Sequence, residues 1–316
     1  MCYVPKRLVI YMDNGKIFTL SPICKSLIWG GKKLSESYNK ICADLTYGEG
    51  IIGESWELVS YGNDVSKISD GINAGRFIND VVSEDIPIIL KYIDAAEPLS
   101  VQVHPNKTEM WVVIDADPGS EIVYGLKDSF DEEKFRDALK NKRVFDLLNT
   151  LKVKPGDVFF IPSGLVHSLG RGILVAEIQQ ASTETYRVYD YDRVHNGKPR
   201  ELHIDAAMGV IRDYSNEELN SLRFSLDDTE TFDPANETAV ANCKYFSVYR
   251  YDGTGANDEV YDAKGRHAVA MCYSGIGKVC NKPIRKGETI FVSKDTKTIT
   301  LEGNMNALLC FFPFEL

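Results

Sequence analysis

The chain lacks any run of the roughly 18 apolar residues needed to span a membrane. It also lacks a C-x-x-C pair. Its seven cysteines are an odd and scattered set, which argues against a disulfide framework and for free thiols in a reducing cytoplasm. The first residues, MCYVPKRLVIYMDNGKIF, contain no long apolar segment followed by small residues, so no secretory signal is expected. Positive charge is in deficit, with 36 Lys and Arg against 46 Asp and Glu. That balance argues against general nucleic-acid binding, and an anionic small molecule would need a local positive site against it. No G-x4-G-K-[ST] loop is present to cradle phosphates. Internal repeats and low-complexity tracts are absent as well.

What is present is a long series of short β-type runs. KRLVIYM, PIILKYID, LSVQVH, MWVVID, EIVYGL, DVFFIP, ILVAEIQQ and TYRVYDYD are β-branched or aromatic, and Gly, Pro, Asp or Asn bound most of them. Such a series predicts a β-sandwich or barrel. Helices are few. Residues 129–148 are the best candidate, with Ser129 and Glu132 as a capping box and Phe135, Ala138 and Leu139 as the apolar stripe, continued less regularly by Val144, Leu147 and Leu148. Ser215 and Glu218 open a second. Residues 223–240 are acidic and weakly periodic, and read as a linker. Strand-like runs then resume (YFSVYRYD, AVAMCYSG, GKVC, ETIFVS, KTITLEG, ALLCFF). A chain of 316 residues accommodates two such units.

The stretch LSVQVHPNKTEMW puts Gln102 and His104 on one face of a strand, because residues two apart share a face. Pro105-Asn106 is turn chemistry. A four-residue hairpin loop over 105–108 would make His104 and Glu109 cross-strand neighbours. A second stretch, KPGDVFFIPSGLVHSLGR, spaces Gly156, Pro162, Gly164 and His167 as G-x5-P-x-G-x2-H. This resembles the second signature of the cupin superfamily, with Arg171 where an Asn often ends it. Gln102, His104 and Glu109 resemble the first signature, with Gln in place of its first His and its flanking glycines missing. Two imidazoles, a carboxylate and an amide oxygen suit one zinc ion, at roughly 2.0–2.2 Å for the nitrogen and carboxylate ligands. An iron oxygenase would more often use imidazoles, a carboxylate and open positions, so Gln102 argues for zinc.

The resemblance narrows further over residues 1–205. Ile28-Trp29-Gly30-Gly31, GESWE from Gly53, LSVQVHP, KTEMW, IPSGLVHSL and above all EIQQASTETYRVYDYDR (177–193) resemble the type I mannose-6-phosphate isomerases (phosphomannose isomerases) of the short bacterial kind. Family members commonly have a longer loop between the HP and KTE motifs, where this chain has only Asn106. The resemblance implies a mainly β fold: a cupin-type jelly-roll barrel with a few helices, plus a smaller second cupin-like β-barrel. The catalytic zinc domain would cover residues 1–228, with a helical insertion near 129–149. Residues 229–316 would form the metal-free unit, and Lys286–Ser293 echoes the glycine-strand part of the second signature with no histidine following. The resemblance implies Gln102, His104, Glu109 and His167 as zinc ligands and Arg187 as the catalytic arginine. Lys107 and Glu177 match further active-site positions, and Ser100, Lys107 and Arg187 would bind substrate.

The implied reaction interconverts mannose 6-phosphate and fructose 6-phosphate through a cis-enediol. A guanidinium presents a permanently charged fork of donors, which suits Arg187 to developing negative oxygen. The blander reading pairs Arg187 with Asp190 or Asp192 on a polar strand face. The base is open among Glu177, in an apolar strand that would raise its pKa, Lys107, and a zinc-linked His or water. His195, His203 and His267 fall outside both signatures and read as surface residues or as neighbours of the ligands. A catalytically silent sugar-binding or regulatory cupin is the alternative function, and an oxygenase a third. Arg187 favours the isomerase over the first and Gln102 disfavours the second. The expected partner is a small sugar phosphate.

Overall fold

The computed structural model describes residues 16–195, 197–226, 239–255 and 258–313. The proposed KRLVIYM strand lies outside them. Three antiparallel sheets form the body. The middle sheet runs in the order Arg223–Ser225, Asp157–Ile161, Glu109–Ala116, Ile173–Gln180, Ile88–Ala95, Glu54–Leu58, Ile23–Lys25. A smaller sheet runs Leu148–Lys152, Glu121–Leu126, His167–Leu169, Val101–Val103, Tyr186–Tyr189. The C-terminal sheet has at its centre Ser247–Asp252, Met305–Phe311, Ala268–Val279 and Thr289–Val292, and is extended by Ile17–Ser21 and Lys67–Ile68.

The middle sheet is buried on both faces, which explains its near-continuous apolar runs. Leu90, Tyr92, Met110, Val112, Ala176 and Ile178 pack against Phe18, Val248, Met271, Phe291 and Leu308 of the C-terminal sheet. The alternate residues Ile93, Trp111, Val113, Phe159, Ile173 and Val175 pack against Ile122, Tyr124 and Leu169 of the small sheet. Each fully buried large apolar side chain contributes roughly 1.5–3 kcal/mol. The outer face of the small sheet (Val101, Val103, Val123, Val188) is covered by Phe135, Val144, Ala207 and Met208 from short helical segments. The mainly β, cupin-like architecture with few helices therefore holds, with open sheets stacked in layers in place of closed barrels.

Several local expectations change. The helix spans Glu132–Lys140 and is capped by Asp131, whose side chain accepts the Lys134 N–H; Ser129 is not the cap. Lys142 adopts a left-handed φ of 57° just beyond it, so Val144–Asp146 forms a separate 3-10 turn and Leu148 begins a strand. The Ser215–Glu218 capping box forms as expected, heading helix Asn216–Ser221. Part of the expected linker is a strand, since Arg223–Ser225 pairs with Asp157–Phe159; residues 227–238 lie outside the described set. AVAMCYSG and GKVC join as one strand, Ala268–Val279. Ile17–Thr19 pairs with Ile290–Val292, so an N-terminal strand completes the sheet built by the last part of the chain.

The middle and C-terminal layers are fastened by a buried ion pair, Lys40 Nζ to Glu57 Oε1 at 2.6 Å. Thr289 Oγ1 and Ser55 Oγ donate to the same carboxylate at 2.9 and 2.6 Å, and Lys40 also donates to the Gly287 carbonyl at 2.5 Å. Removing one partner strands the other charge in the core, so Lys40→Met is expected to cost about 3 kcal/mol by urea unfolding. Lys40→Met combined with Glu57→Leu should recover most of that loss; an additive further loss would show that the pair is not the fastening.

Asp94 accepts the Lys33 and Leu34 N–H groups at 2.7 and 3.4 Å, holding the start of helix Lys33–Tyr38. A Cβ on Gly31 would stand 2.5 Å from its carboxylate, so that position takes glycine. Burial pushes the Asp94 carboxyl up to about 6, against the pull of those two N–H groups. The unfolded chain releases this proton first, so the Asp94 contribution is present below about pH 4 and is lost as pH rises through about 6. Relative to Asp94→Asn, the wild type should lose on the order of 2 kcal/mol between about pH 4 and pH 7.5 in urea titrations; parallel pH profiles would refute this.

Candidate metal centre and active site

The gap between the middle and small sheets carries the polar side chains. On the small sheet, Gln102 stands opposite both His167 and Arg187. On the middle sheet, Glu109 stands opposite Gln179, and Trp111 opposite Glu177. His104 and Glu109 thus converge, but not as hairpin neighbours: the strands ending at Val103 and starting at Glu109 belong to different sheets. Pro105 has no N–H to continue a ladder, and the chain crosses between layers at 105–108. The crossing is held by Gly164 N donating to His104 O at 2.9 Å, by Thr108 N donating to Gln180 Oε1 at 2.7 Å, and by Ser163 Oγ donating to Pro105 O.

His104 Nε2 lies 3.4 Å from Glu109 Oε2, and His167 Nε2 lies 3.3 Å from Glu109 Oε1. The three residues can offer donor atoms all within 4.8 Å of one another, and all three are buried. Each imidazole is oriented through its other nitrogen: His104 Nδ1 donates to Glu184 O at 2.9 Å, and His167 Nδ1 to Leu165 O at 2.8 Å. Both Nε2 lone pairs then face the cluster, the arrangement typical of metal-ligating histidines. The Gln102 amide nitrogen stands 3.3 Å from His167 Nε2, and exchanging its N and O by rotation turns the oxygen inward.

His104 Nε2 and both Glu109 oxygens are buried without a hydrogen bond, and of the three only Glu109 Oε2 has a charged partner, the Lys107 ammonium. Such orphans cost free energy unless something satisfies them, and this donor set suits a divalent cation. The protonation states agree. Burial, then the Lys107 ammonium, holds His104 down to about 3. For Glu109, burial works to raise the pKa, but Lys107 and the imidazoles outweigh it and hold the carboxyl well below its usual range. Neutral imidazole and ionised carboxylate are the metal-binding forms.

Lys107 is buried; its Nζ lies 2.7 Å from Glu109 Oε2 and donates to Gln179 Oε1 at 3.3 Å. Glu177 lies on the same sheet face but turns to Lys91 Nζ at 3.2 Å and to Trp111 Nε1 at 2.8 Å. Arg187 Nε donates to Ser100 Oγ at 3.2 Å and Nη1 to Glu201 O at 2.9 Å. It pairs with neither Asp190, which binds Arg193 and Arg200, nor Asp192, which binds Lys142. Burial, then Arg200, lowers the Arg187 pKa from its ordinary value. Two guanidiniums hold the buried Asp190 carboxylate, and the Arg187 charge lies near enough to feel all three groups, a local positive site in a chain of net charge −10. Nothing in the order of residues marks Arg193 and Arg200 as neighbours of Arg187; only the fold brings them together. His203 Nδ1 accepts the Arg187 N–H at 3.3 Å, whereas His267 contacts Glu84, remote from the cluster.

A cupin-like scaffold with two oriented imidazoles, a carboxylate and an adjacent arginine makes a candidate metal site of the kind metal-dependent enzymes use. The model of the phosphomannose isomerase type I catalytic domain matches residues 17–121. A mannose-6-phosphate isomerase of Bacillus subtilis, ManA, is 34% identical over 74% of this chain and 79% of its own length. GmuF, a probable mannose-6-phosphate isomerase of the same organism, is 32% identical over 92% of this chain and 97% of its own. The crystal structure of the B. subtilis mannose 6-phosphate isomerase superposes with a TM-score of 0.76 at 26% identity, covering 93% of this chain and 99% of that one. The chain belongs to the type I phosphomannose isomerase family, whose members are metal-dependent isomerases.

Glu109→Gln removes the charge between the imidazoles, and His104→Ala removes one donor. Each should lower bound metal per chain at least about tenfold after gel filtration, measured by elemental analysis. Retention of a full equivalent by both would place the metal elsewhere.

Proposed function

We propose that the protein interconverts mannose 6-phosphate and fructose 6-phosphate by moving a proton between C2 and C1 through a cis-enediol, with one zinc ion held by Gln102, His104, Glu109 and His167. The observation that carries this reading is the set of buried atoms on His104 and Glu109 without a hydrogen bond, of which only Glu109 Oε2 has a charged partner, Lys107, beside an Arg187 guanidinium that meets no carboxylate among the described residues. Zinc supplies Lewis acidity toward the sugar oxygens when bound.

The remaining work falls to side chains. Arg187, oriented by Ser100 and the Glu201 carbonyl, donates to the oxygen on which charge develops. The surplus positive charge of Arg187, Arg193 and Arg200 over Asp190 attracts the phosphate. Lys107 Nζ, between Glu109 and Gln179, would carry the proton between the two carbons as the free amine, taking it from C2 and returning it to C1, after its own ammonium proton has left. Glu177 would have to give up Lys91 or Trp111 to take that role. Cys24, Cys42, Cys243, Cys272 and Cys310 carry free thiols, which fits work in the reducing cytoplasm.

Purified protein should convert mannose 6-phosphate to fructose 6-phosphate, lose turnover to a chelator and regain it with zinc. Arg187→Ala should lower kcat by about 100-fold or more, with bound zinc unchanged. Folded, zinc-replete protein without turnover would favour a sugar-binding role, and iron with oxygen-dependent turnover would overturn the zinc assignment.

A further inference from the structure

We propose that Lys91, Glu177 and Trp111 form a buried positioning chain that fixes the His167 imidazole, and that Glu177 acts through Trp111, not on the substrate. The inference rests on the metal-site reading above.

The three residues sit side by side on adjacent strands, because Glu177 is the cross-strand partner of both Lys91 and Trp111. Lys91 Nζ lies 3.2 Å from Glu177 Oε1 and 3.8 Å from Glu54 Oε2, and 4.7 Å from the centre of the Trp56 ring. Trp111 Nε1 donates to Glu177 Oε2 at 2.8 Å, so each carboxylate oxygen is engaged. Across the gap between the sheets, the Trp111 indole meets the His167 ring edge-on, with centroids 5.4 Å apart and planes at 72°. The Leu165 carbonyl fixes the His167 tautomer. A single hydrogen bond still leaves the ring free to tilt about it, and the indole wall blocks that tilt. Relative exposures are 4% for Glu177, 7% for Lys91, 1% for Trp111 and zero for His167, so a shift at one end has no solvent gap in which to dissipate.

Placement argues against direct chemistry by Glu177. Two residues further along its strand, Gln179 faces Glu109, so Glu177 stands roughly 6–7 Å along the strand from the donor cluster. Lys91 explains why a carboxylate is tolerated there. Burial opposes its charge, but Glu54, Glu177 and Glu109 hold its ammonium above the ordinary lysine range, so it counters the charge of the group that anchors the indole. Partners that orient a ligating histidine typically change metal affinity by about 10–100-fold when removed.

The test compares zinc loss to a chromophoric chelator, and kcat, in zinc-loaded wild type, Glu177→Gln, Glu177→Met, Trp111→Phe and the Glu177→Met/Trp111→Phe double variant. The amide oxygen of Gln can still accept the indole N–H. Glu177→Gln should therefore stay within about tenfold of wild type in both measurements. Glu177→Met and Trp111→Phe should each speed zinc loss about tenfold or more, and the double variant should be no faster than the faster single one. Loss of kcat by about 100-fold or more in Glu177→Gln, with zinc retention intact, would make Glu177 a proton-transfer group and overturn the proposal. Multiplying effects in the double variant would overturn it too. If Glu177→Met does not fold, Trp111→Phe with unchanged zinc loss overturns it alone. A wild type without turnover but with this ordering of zinc loss would sink the assigned reaction and still support the chain.

Discussion

Burial of both faces of the middle sheet is the constraint on which the site depends. One face meets the C-terminal sheet and is mostly apolar, with the Lys40–Glu57 pair and Asp94 as its buried charged exceptions. The other meets the small sheet and carries Lys91, Glu109, Glu177 and Gln179 in the same dry space. Water is not at hand to solvate that row, so every charge in it needs a partner of its own. Lys91 takes Glu177, and Lys107 takes one side of Glu109. What is left over, the inner lone pairs of Glu109 and the facing His104 nitrogen, is the coordination capacity of the site. Catalytic capacity here is a residue of incomplete satisfaction: the fold neutralises most of its buried charge and leaves one gap.

This division also explains how the two cores differ. The C-terminal sheet supplies apolar cover and lends rigidity to the back of the middle sheet. The small sheet is the working partner, bringing Gln102, His167 and Arg187 to its inner face at one level, since Gln102 lies between the other two in register. Its outer face is closed by short helical segments. The candidate ligands thus come from regular strands or their immediate ends, and their spacing is set by backbone hydrogen bonds, which would suit a centre whose donors must be held within fractions of an ångström.

Much of the site was legible in the order of residues, because a period of two assigns side chains to faces. Gln102 and His104 share a face as that period requires, and both turn toward His167. Periodicity does not say which strand lies opposite. His104 and Glu109 were read as partners across a tight loop, whereas they face each other from separate sheets, and the misreading arose because a proline-containing crossover and a hairpin turn have the same composition. Lys91 was invisible for a related reason. Within PIILKYID it looks like an exposed interruption of an apolar strand, and only the approach of Glu177 and Glu54 makes it a core residue. The helix over 129–148 was overextended because its apolar stripe continues past Lys142, into residues that pack on the same cluster from a 3-10 turn and a strand.

The pairing of Ile17–Thr19 with Ile290–Val292 bears on how the molecule is made. A ribosome that has released the first 226 residues has produced both sheets that flank the candidate metal site, yet one face of the middle sheet still lacks its cover. Phe18, Leu20 and Ile68 are already synthesised, but the strands they pack beside emerge last. Until then a broad apolar surface stays open, and the nascent protein depends on chaperones or on speed to avoid association through it. Joining the earliest described strand to one of the last makes completion of the fold wait for nearly the whole chain.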